Sequence, residues 1–327
     1  MKNICVIILF LSFCPMLAHG QFPPPAGQIG STAIYKDSAV FVAWASGCNV
    51  VRGWQNIADT SLGKADVGDS SLALGPAGSN GVVSLGDAGT AIITFDRPVA
   101  NGPSWDFAVF ENSFSDTFLE LAFVEVSSDG LNYIRFPSTS LTDTNVQVGT
   151  YGELDATKLN NLAGKYRLFY GTPFDLQELE SVSSLDINHI THIKIIDVVG
   201  SIEPAYASYD AFHHKINDPW PTPFGASGFD LDAVGVIHQA PAGISESQDE
   251  SMALVYPNPA GNYVTVSLKG LNPVSDILLI NYNGQVICRK KCAGHDETID
   301  LQGLPAGLYM IKIIHDESVL CKKLIKY

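Results

Sequence analysis

The sequence predicts an all-β protein built from two β-sandwiches, and three observations lead to that class. Short runs of β-branched and aromatic residues recur along the 327-residue chain, separated by Gly, Pro, Asn and Asp. Apolar residues at helical spacing are scarce, and only Thr172–Ser181 reads as a short helix or a helical turn. Two pairs of runs are joined by Asp129–Gly130 and Asn283–Gly284, which are dipeptides typical of tight hairpin turns.

Seven predicted strands fall in the larger, N-terminal part of the chain. They are Ala39–Trp44, Thr90–Phe95, Trp105–Glu111, Glu120–Ser128, Leu131–Phe136, Ile190–Gly200 and Phe229–Ile237. A single sandwich with extended loops can reach the length of this part.

The first twenty residues have the pattern of a secretory signal peptide. A positive start is followed by the apolar run Ile4–Ala18, and small residues stand at positions 18 and 20. The run is too short for a good membrane span, and no later apolar run reaches about 18 residues. We therefore expect residues 1–20 to be removed, and the mature chain to be soluble with no transmembrane segment.

Composition predicts where the mature chain divides. Residues 239–251 are small, polar and acidic, which is typical of a flexible linker. The predicted domains are therefore 21–238, which we interpret as a β-sandwich binding domain, and 252–327, a smaller domain. From Gln21 to Asp249 there are 10 Lys and Arg against 27 Asp and Glu, a net charge of −17, whereas Glu250–Tyr327 has 8 against 7.

The acidic surplus excludes one class of partner and admits another. Nucleic acid is unfavourable because phosphates require a basic surface. Hard cations such as calcium suit an acidic domain, although solubility alone also accounts for such a charge. Four cysteines follow the signal segment: Cys48 is expected to be a buried free thiol, and Cys288, Cys292 and Cys321 are expected to form one disulfide and leave one spare thiol.

The small domain reads as about seven short strands in fewer than 80 residues, which is typical of an immunoglobulin-like sandwich. Four segments occur in order within Leu254–Tyr327: "VYPNPAGNYVTVSL", "LINYNGQVI", "IDLQGLPAGLYMIKI" and "KKLIKY". Together they resemble the C-terminal sorting domain of type IX secretion system cargo. The resemblance implies recognition by the outer-membrane export machinery and usually cleavage afterwards. It also implies a secreted or surface protein of a Gram-negative bacterium.

Carboxylates beside aromatic residues mark three stretches of the large domain and are the candidate metal ligands. They are Asp106, Glu111, Asp197, Asp230 and Asp232. Residues two apart on a strand share a face, so Asp230 and Asp232 would repel unless a cation such as calcium lay between them. Exposure to solvent at a sheet edge, or a general acid and base, are the alternatives.

The large domain more loosely resembles secreted bacterial sandwiches of the galactose-binding-like, jelly-roll kind, on "VSLGDAGTAIITFDRPV", "DFAVFEN", "VEVSSDGLNYIRFP" and "GFDLDAVGVI". That resemblance implies carbohydrate binding and a structural calcium ion. Trp220 and Phe224 lie in a Pro-rich loop and are candidate ligand-binding residues, with burial of Trp220 in the core as the alternative. We expect a calcium-stabilised module that binds glycan or protein. The alternative is a glycan-active hydrolase using Glu111 and Asp230.

Overall fold

The computed structural model describes residues 21–240, 253–268, 275–292, 294–315 and 318–327. The predicted signal peptide, 1–20, and residues 241–251 of the predicted linker lie outside the described residues. The chain divides into two compact units, Met1–Pro241 and Ala242–Tyr327. Within the described residues, no helix is long and apolar enough to cross a membrane.

Thirteen strands and four short 3-10 helices make up the described part of the large unit. The strands are β1 (Ile34–Tyr35), β2 (Ala43–Trp44), β3 (Gly47–Val51), β4 (Val83–Ser84), β5 (Thr90–Val99), β6 (Phe107–Glu111), β7 (Ala122–Ser127), β8 (Ile134–Arg135), β9 (Thr139–Ser140), β10 (Leu159–Asn160), β11 (Tyr170–Phe174), β12 (Ile190–Asp197) and β13 (Asp230–Val236). The 3-10 helices are Thr60–Leu62, Ser70–Ala73, Ala156–Lys158 and Leu176–Leu179.

Two antiparallel sheets form the sandwich of the large unit, and β9 and β10 pair as a separate two-stranded sheet. The first has the order β1-β11-β6-β13-β2, with β4 paired to β13, and the second has the order β3-β5-β12-β7-β8. A single apolar core takes side chains from both, including Phe107 and Leu231 from the first sheet and Ile93 and Ile193 from the second. Burying these two inner faces against each other makes the unit a β-sandwich.

The small unit contains seven strands in the described residues, in two sheets. They are β14 (Ala253–Tyr256), β15 (Tyr263–Leu268), β16 (Ser275–Asn281), β17 (Val286–Cys292), β18 (Asp296–Asp300), β19 (Gly307–His315) and β20 (Ser318–Lys326). The sheet orders are β14-β15-β18 and β17-β16-β19-β20. Val264, Val266 and Leu268 alternate into a core that they share with Ile277 and Ile311 of the other sheet. The predicted all-β class is confirmed.

One local prediction is confirmed only in its weaker form. The segment read as a short helix or a helical turn, Thr172–Ser181, begins inside strand β11 and contains the 3-10 turn Leu176–Leu179, so the turn is confirmed and the helix is wrong. Strand pairing overrides the local pattern there, because β11 lies between β1 and β6.

The predicted disulfide among the last cysteines is also wrong, since Cys48, Cys288, Cys292 and Cys321 are all free thiols. Cys288 and Cys321 lie on β17 and β20, the two edges of a four-stranded sheet, and strand spacing separates them by about 14 Å. Cys288 and Cys292 are four residues apart on one strand, which is about 13 Å. A disulfide needs α-carbons within about 7 Å.

Candidate functional site

The ends of four strands bring acidic side chains to one end of the large sandwich. Glu111 ends β6 and lies beside β13, since Leu231 pairs with Glu111. Asp230 begins β13, Asp197 ends β12, and Glu120 lies two residues before β7. Antiparallel pairing of β6 with β13 and of β12 with β7 places the end of one strand beside the start of the next.

Glu111 is 1% exposed and only half satisfied. Its Oε2 accepts a hydrogen bond from the Ser113 backbone N–H at 2.7 Å, whereas its buried Oε1 has no hydrogen-bond partner. Burial raises the pKa of this carboxyl to about 8, and the charge of Asp230 acts in the same direction. An orphaned buried carboxylate oxygen is costly unless a ligand or a proton satisfies it.

Asp230 is better supplied with donors. It accepts a hydrogen bond from the Ser84 hydroxyl and another from the Asn112 side-chain amide at 3.2 Å. Its burial nevertheless raises its pKa to about 6.

Glu120 is the most crowded of these acids, and the sequence did not single it out. Its side chain is buried, and no hydrogen bond to its carboxylate comes from the described residues. Burial, followed by the charges of Glu111, Asp230, Asp218 and Asp197, raises its pKa well above the ordinary range. Gly164 lets the chain approach, because a Cβ there would lie 1.8 Å from the Glu120 carbonyl oxygen. We name Glu111, Glu120, Asp197, Asp218 and Asp230 the carboxylate cluster.

Backbone donors stabilise the outer members of the cluster. Asp197 accepts from the N–H groups of Phe229 at 2.7 Å and Ala88 at 2.9 Å. Asp218 accepts from the Leu121 N–H at 3.0 Å. Burial still raises the pKa of both carboxyls well above their ordinary range. These two acids already have donors, whereas Glu111 keeps one buried carboxylate oxygen without a hydrogen-bond partner.

Two of the predicted ligands lie elsewhere. Asp106 accepts from the Gly102 N–H and the Leu176 N–H, and lies beside the imidazole of His238 at 2.9 Å, at the start of β6 rather than at its end. Asp232 accepts from the Gly78 N–H with both oxygens, at 3.0 and 2.9 Å. The structure does not bring these two side chains to the carboxylate cluster, so their role as metal ligands stays a prediction.

The carboxylates of Glu111, Glu120 and Asp230 are ligands of the type that calcium prefers, because this cation binds carboxylate oxygens. As the side chains stand, however, no three Asp, Glu, His or Cys residues of the described chain are already arranged around a position for a metal ion. Binding would therefore require the side chains of Glu111 and Glu120 to turn toward a common point.

A row of four aromatic rings begins in the loop after Glu111, and two of the four are well exposed while Phe118 is buried. Phe114 stacks on Phe118 at 4.6 Å between centroids, Phe118 lies 6.3 Å from Tyr151, and Tyr151 stacks on Phe224 at 6.3 Å with ring planes 10° apart. Phe114 and Tyr151 are 73% and 72% exposed. We name these four residues the aromatic row. Of the two predicted ligand-binding residues, Phe224 belongs to it.

Trp220 is not an exposed platform. It is 7% exposed, its indole N–H donates to Asp87 at 3.0 Å, and its ring lies 6.3 Å from that of Tyr206. The indole therefore fills the interior beneath the Pro-rich loop, and its prediction as a ligand-binding residue is corrected.

The loops under the aromatic row are fixed to one another. The buried Asn217 side chain accepts from the Val148 N–H at 2.9 Å and donates to the carbonyls of Asp143 and Val146. The Thr150 hydroxyl donates to the Pro221 carbonyl at 2.8 Å. These bonds hold the loop of Tyr151 against that of Phe224.

An open groove of about 490 Å³ begins beside the row, at Thr117 and Gly152. Its lining includes Asp143, Glu153 and Lys158. The hydroxyl of Thr142, another lining residue, is buried and has no hydrogen-bond partner in the described part of the chain. Hydrogen-bonding groups therefore lie next to flat apolar rings.

Comparison with known proteins identifies the smaller unit. Residues 254–327 match the family model of the secretion system C-terminal sorting domain. No curated protein sequence matches the chain.

Solved structures show only distant likenesses. PorZ, a surface component of the type IX secretion system of Porphyromonas gingivalis, is 11% identical over 78% of this chain and 31% of its own, with a TM-score of 0.22. A β-glucuronidase of Faecalibacterium prausnitzii is 10% identical over 86% of this chain and 44% of its own, with a TM-score of 0.21. The BSP domain of a biofilm associated protein is 11% identical over 76% of this chain and 52% of its own, with a TM-score of 0.19. This chain spans about a third to a half of those chains, and such scores carry no argument.

The chain is an all-β protein whose C-terminal unit is an export signal. Residues 254–327 match a C-terminal sorting domain, which indicates export by the type IX secretion system. The chain is accordingly a secreted or cell-surface protein.

Proposed function

We propose that the large unit is a calcium-stabilised module that binds glycans outside the cell. The observation that carries the proposal is the aromatic row, in which Phe114 and Tyr151 are exposed, beside an open groove that contains charged side chains. The proposal includes removal of residues 1–20 as a signal peptide and release or display at the outer surface of a Gram-negative bacterium.

Sugars present two kinds of surface, and the site offers a partner for each. The apolar C–H faces of a pyranose stack on aromatic rings such as those of Phe114 and Tyr151. Its hydroxyls pair with polar groups such as Asp143 and Lys158 in the groove. The fixed loops reduce the ordering cost of binding, because the rings are already in place.

A protein ligand would use the same rings, and the array experiment below distinguishes it from a glycan. Hydrolysis fits the geometry less well. A hydrolase would need its acid and base to reach a glycosidic bond, whereas Glu111 and Asp230 are 1% and 7% exposed. Burial therefore favours binding over hydrolysis.

A glycan array probed with the mature chain, Gln21–Tyr327, tests this proposal. We expect binding to a restricted set of glycans, weakened roughly tenfold or more in Tyr151→Ala because about 1.4 kcal/mol of stacking is lost. Phe212→Ala is the matched control, since Phe212 is 64% exposed in the same unit and away from the row. Absence of binding to any glycan, or equal weakening by both variants, would contradict the proposal.

A further inference from the structure

Glu111 and Glu120 stand at the two ends of one surface loop. The intervening residues, 112–119, connect β6 to the approach of β7. This loop carries Phe114 and Phe118, which form half of the aromatic row. Whatever joins Glu111 to Glu120 therefore also closes the base of the loop that presents these rings.

Glu111 and Glu120 differ in how their carboxylate oxygens are satisfied. Glu111 turns one oxygen to the Ser113 N–H, and its other oxygen is buried without a partner. Glu120 receives no hydrogen bond from the described residues, and it lies in the field of both Glu111 and Asp230. Two buried like charges repel, and a cation between them removes the repulsion.

We infer that Glu111, Glu120 and Asp230 bind one calcium ion, which ties both ends of the 112–119 loop to β13 and thereby fixes the aromatic row. The metal site stands on the orphaned Glu111 oxygen and the juxtaposition of the three acids. The coupling to the aromatic row rests on the proposed function.

Calcium is the cation that this donor set suits. Three carboxylates supply up to six oxygens, and calcium accepts six to eight at irregular angles, with water completing the shell. Magnesium requires near-ideal octahedral geometry, which three acids from separate strand ends do not preset. Asp197 and Asp218 keep their backbone donors and add negative potential from outside the site.

The loop transmits the position of its ends to its rings. The Ser113 carbonyl accepts from the Leu168 N–H at 2.7 Å, and the Thr117 carbonyl accepts from the Leu154 N–H at 2.7 Å. The Ser113 hydroxyl donates to the Phe118 carbonyl, which closes the turn internally. These bonds join the loop to its neighbours and close its turn, so a change in position at Glu120 would be carried to Phe118, two residues away along the chain.

Calorimetric titration of the chelator-treated mature chain with calcium chloride tests the metal site. We expect uptake of one ion and a rise in the melting temperature of the large unit. Glu120→Gln keeps the side-chain shape and removes one charge, so it should weaken calcium binding more than tenfold without lowering the melting temperature measured in chelator. Asp232→Asn is the matched control, because it changes a buried carboxylate outside the site, and it should keep calcium binding.

Each failure is distinguishable. Absence of calcium uptake by the wild-type chain, or an affinity unchanged in Glu120→Gln, overturns the metal site. Glycan binding that is equal in calcium and in chelator overturns the coupling while leaving the site intact. A chain that takes up calcium but binds no glycan contradicts the proposed function, not the cation site.

Discussion

The two units are both β-sandwiches, yet they treat charge in opposite ways. In the described part of the large unit, ten Asp and Glu side chains are buried, and five of them form the carboxylate cluster. In the described part of the small unit no Asp or Glu is buried, and Ser267 is the only polar residue in its interior.

This difference indicates that the large unit carries a functional site, whereas the small unit serves only to be recognised for export. Burying a carboxylate costs free energy, so ten of them need donors, cations or a functional reason. An apolar interior with short hairpins is sufficient for a domain that must only fold and be recognised. We therefore place the chemistry of this protein in the large unit and its address in the small one.

The largest expected effect concerns export. Deleting Leu254–Tyr327 should leave the large unit folded but reduce its level at the surface and in the medium to background, because the sorting domain is lost. Immunoblots of cell fractions measure this. Joining residues 241–327 to a reporter that carries a signal peptide but stays in the periplasm should bring the reporter to the surface or the medium. Normal surface levels of the truncated protein would contradict the assignment of export to the small unit.

Independence of the two cores gives the next effect. Phe107 is fully buried and stacks on Phe174 at 5.3 Å, so Phe107→Ala should destabilise the large unit by about 3–5 kcal/mol. Ile311→Ala should destabilise the small unit by about 2–5 kcal/mol. Calorimetry should show two transitions, each shifted by only one variant. A shift of both transitions by either variant would show that the two units do not unfold independently.

A buried lysine gives a pH-dependent test in the large unit. Lys165 is 3% exposed and donates to the Leu159 carbonyl at 2.7 Å, and burial lowers its pKa to about 8 from 10.5. Between those values the unfolded chain holds a proton that the folded chain has lost, so stability should rise with pH. The rise should approach about 3 kcal/mol.

Urea unfolding of the wild-type chain and Lys165→Met at pH 7.5 and pH 10.5 isolates that contribution. The variant lacks the titrating group, so the stability difference between the two proteins should change in favour of the wild type at the higher pH. Parallel pH dependence in the two proteins would mean that Lys165 is solvated.

Trp220 gives the smallest of these effects. Trp220→Phe should retain most of the buried contact but remove the hydrogen bond to Asp87, at a cost of about 1–3 kcal/mol. Urea unfolding measures the cost. Glycan affinity should stay within about twofold of wild type, since the indole is not part of the aromatic row; a larger loss of affinity than of stability would return Trp220 to the binding surface.

Sequence patterns predicted the longer strands, because alternation and turn residues act locally. Val264, Val266 and Leu268 alternate with less buried positions. Asp129–Gly130 lies in the connection between β7 and β8, but that connection is longer than the tight turn expected, since the last pair joins Val126 to Ile134.

Six strands of the large unit were missed, namely β1, β3, β4, β9, β10 and β11. Of these, β11 was read as part of a short helix or a helical turn, and β3, with the sequence "GCNVV", is ordered by pairing with β5.

The candidate site was predicted only in part, because its members converge through tertiary structure. Glu111, Asp197 and Asp230 were found, since each ends or begins a recognisable strand. Glu120 was read only as the start of a strand, and Asp218 only as part of a Pro-rich loop. The available signal was that both are carboxylates beside apolar or aromatic residues, Glu120 between two leucines and Asp218 two residues before Trp220.

The most direct test of the account is the number of calcium ions that the large unit holds. Native mass spectrometry of the mature chain, transferred from buffer containing calcium, should show one bound ion in the wild-type protein and in Asp232→Asn, and none in Glu120→Gln. A wild-type chain without an ion, or an ion that persists in Glu120→Gln, would contradict the claim that the carboxylate cluster is a calcium site.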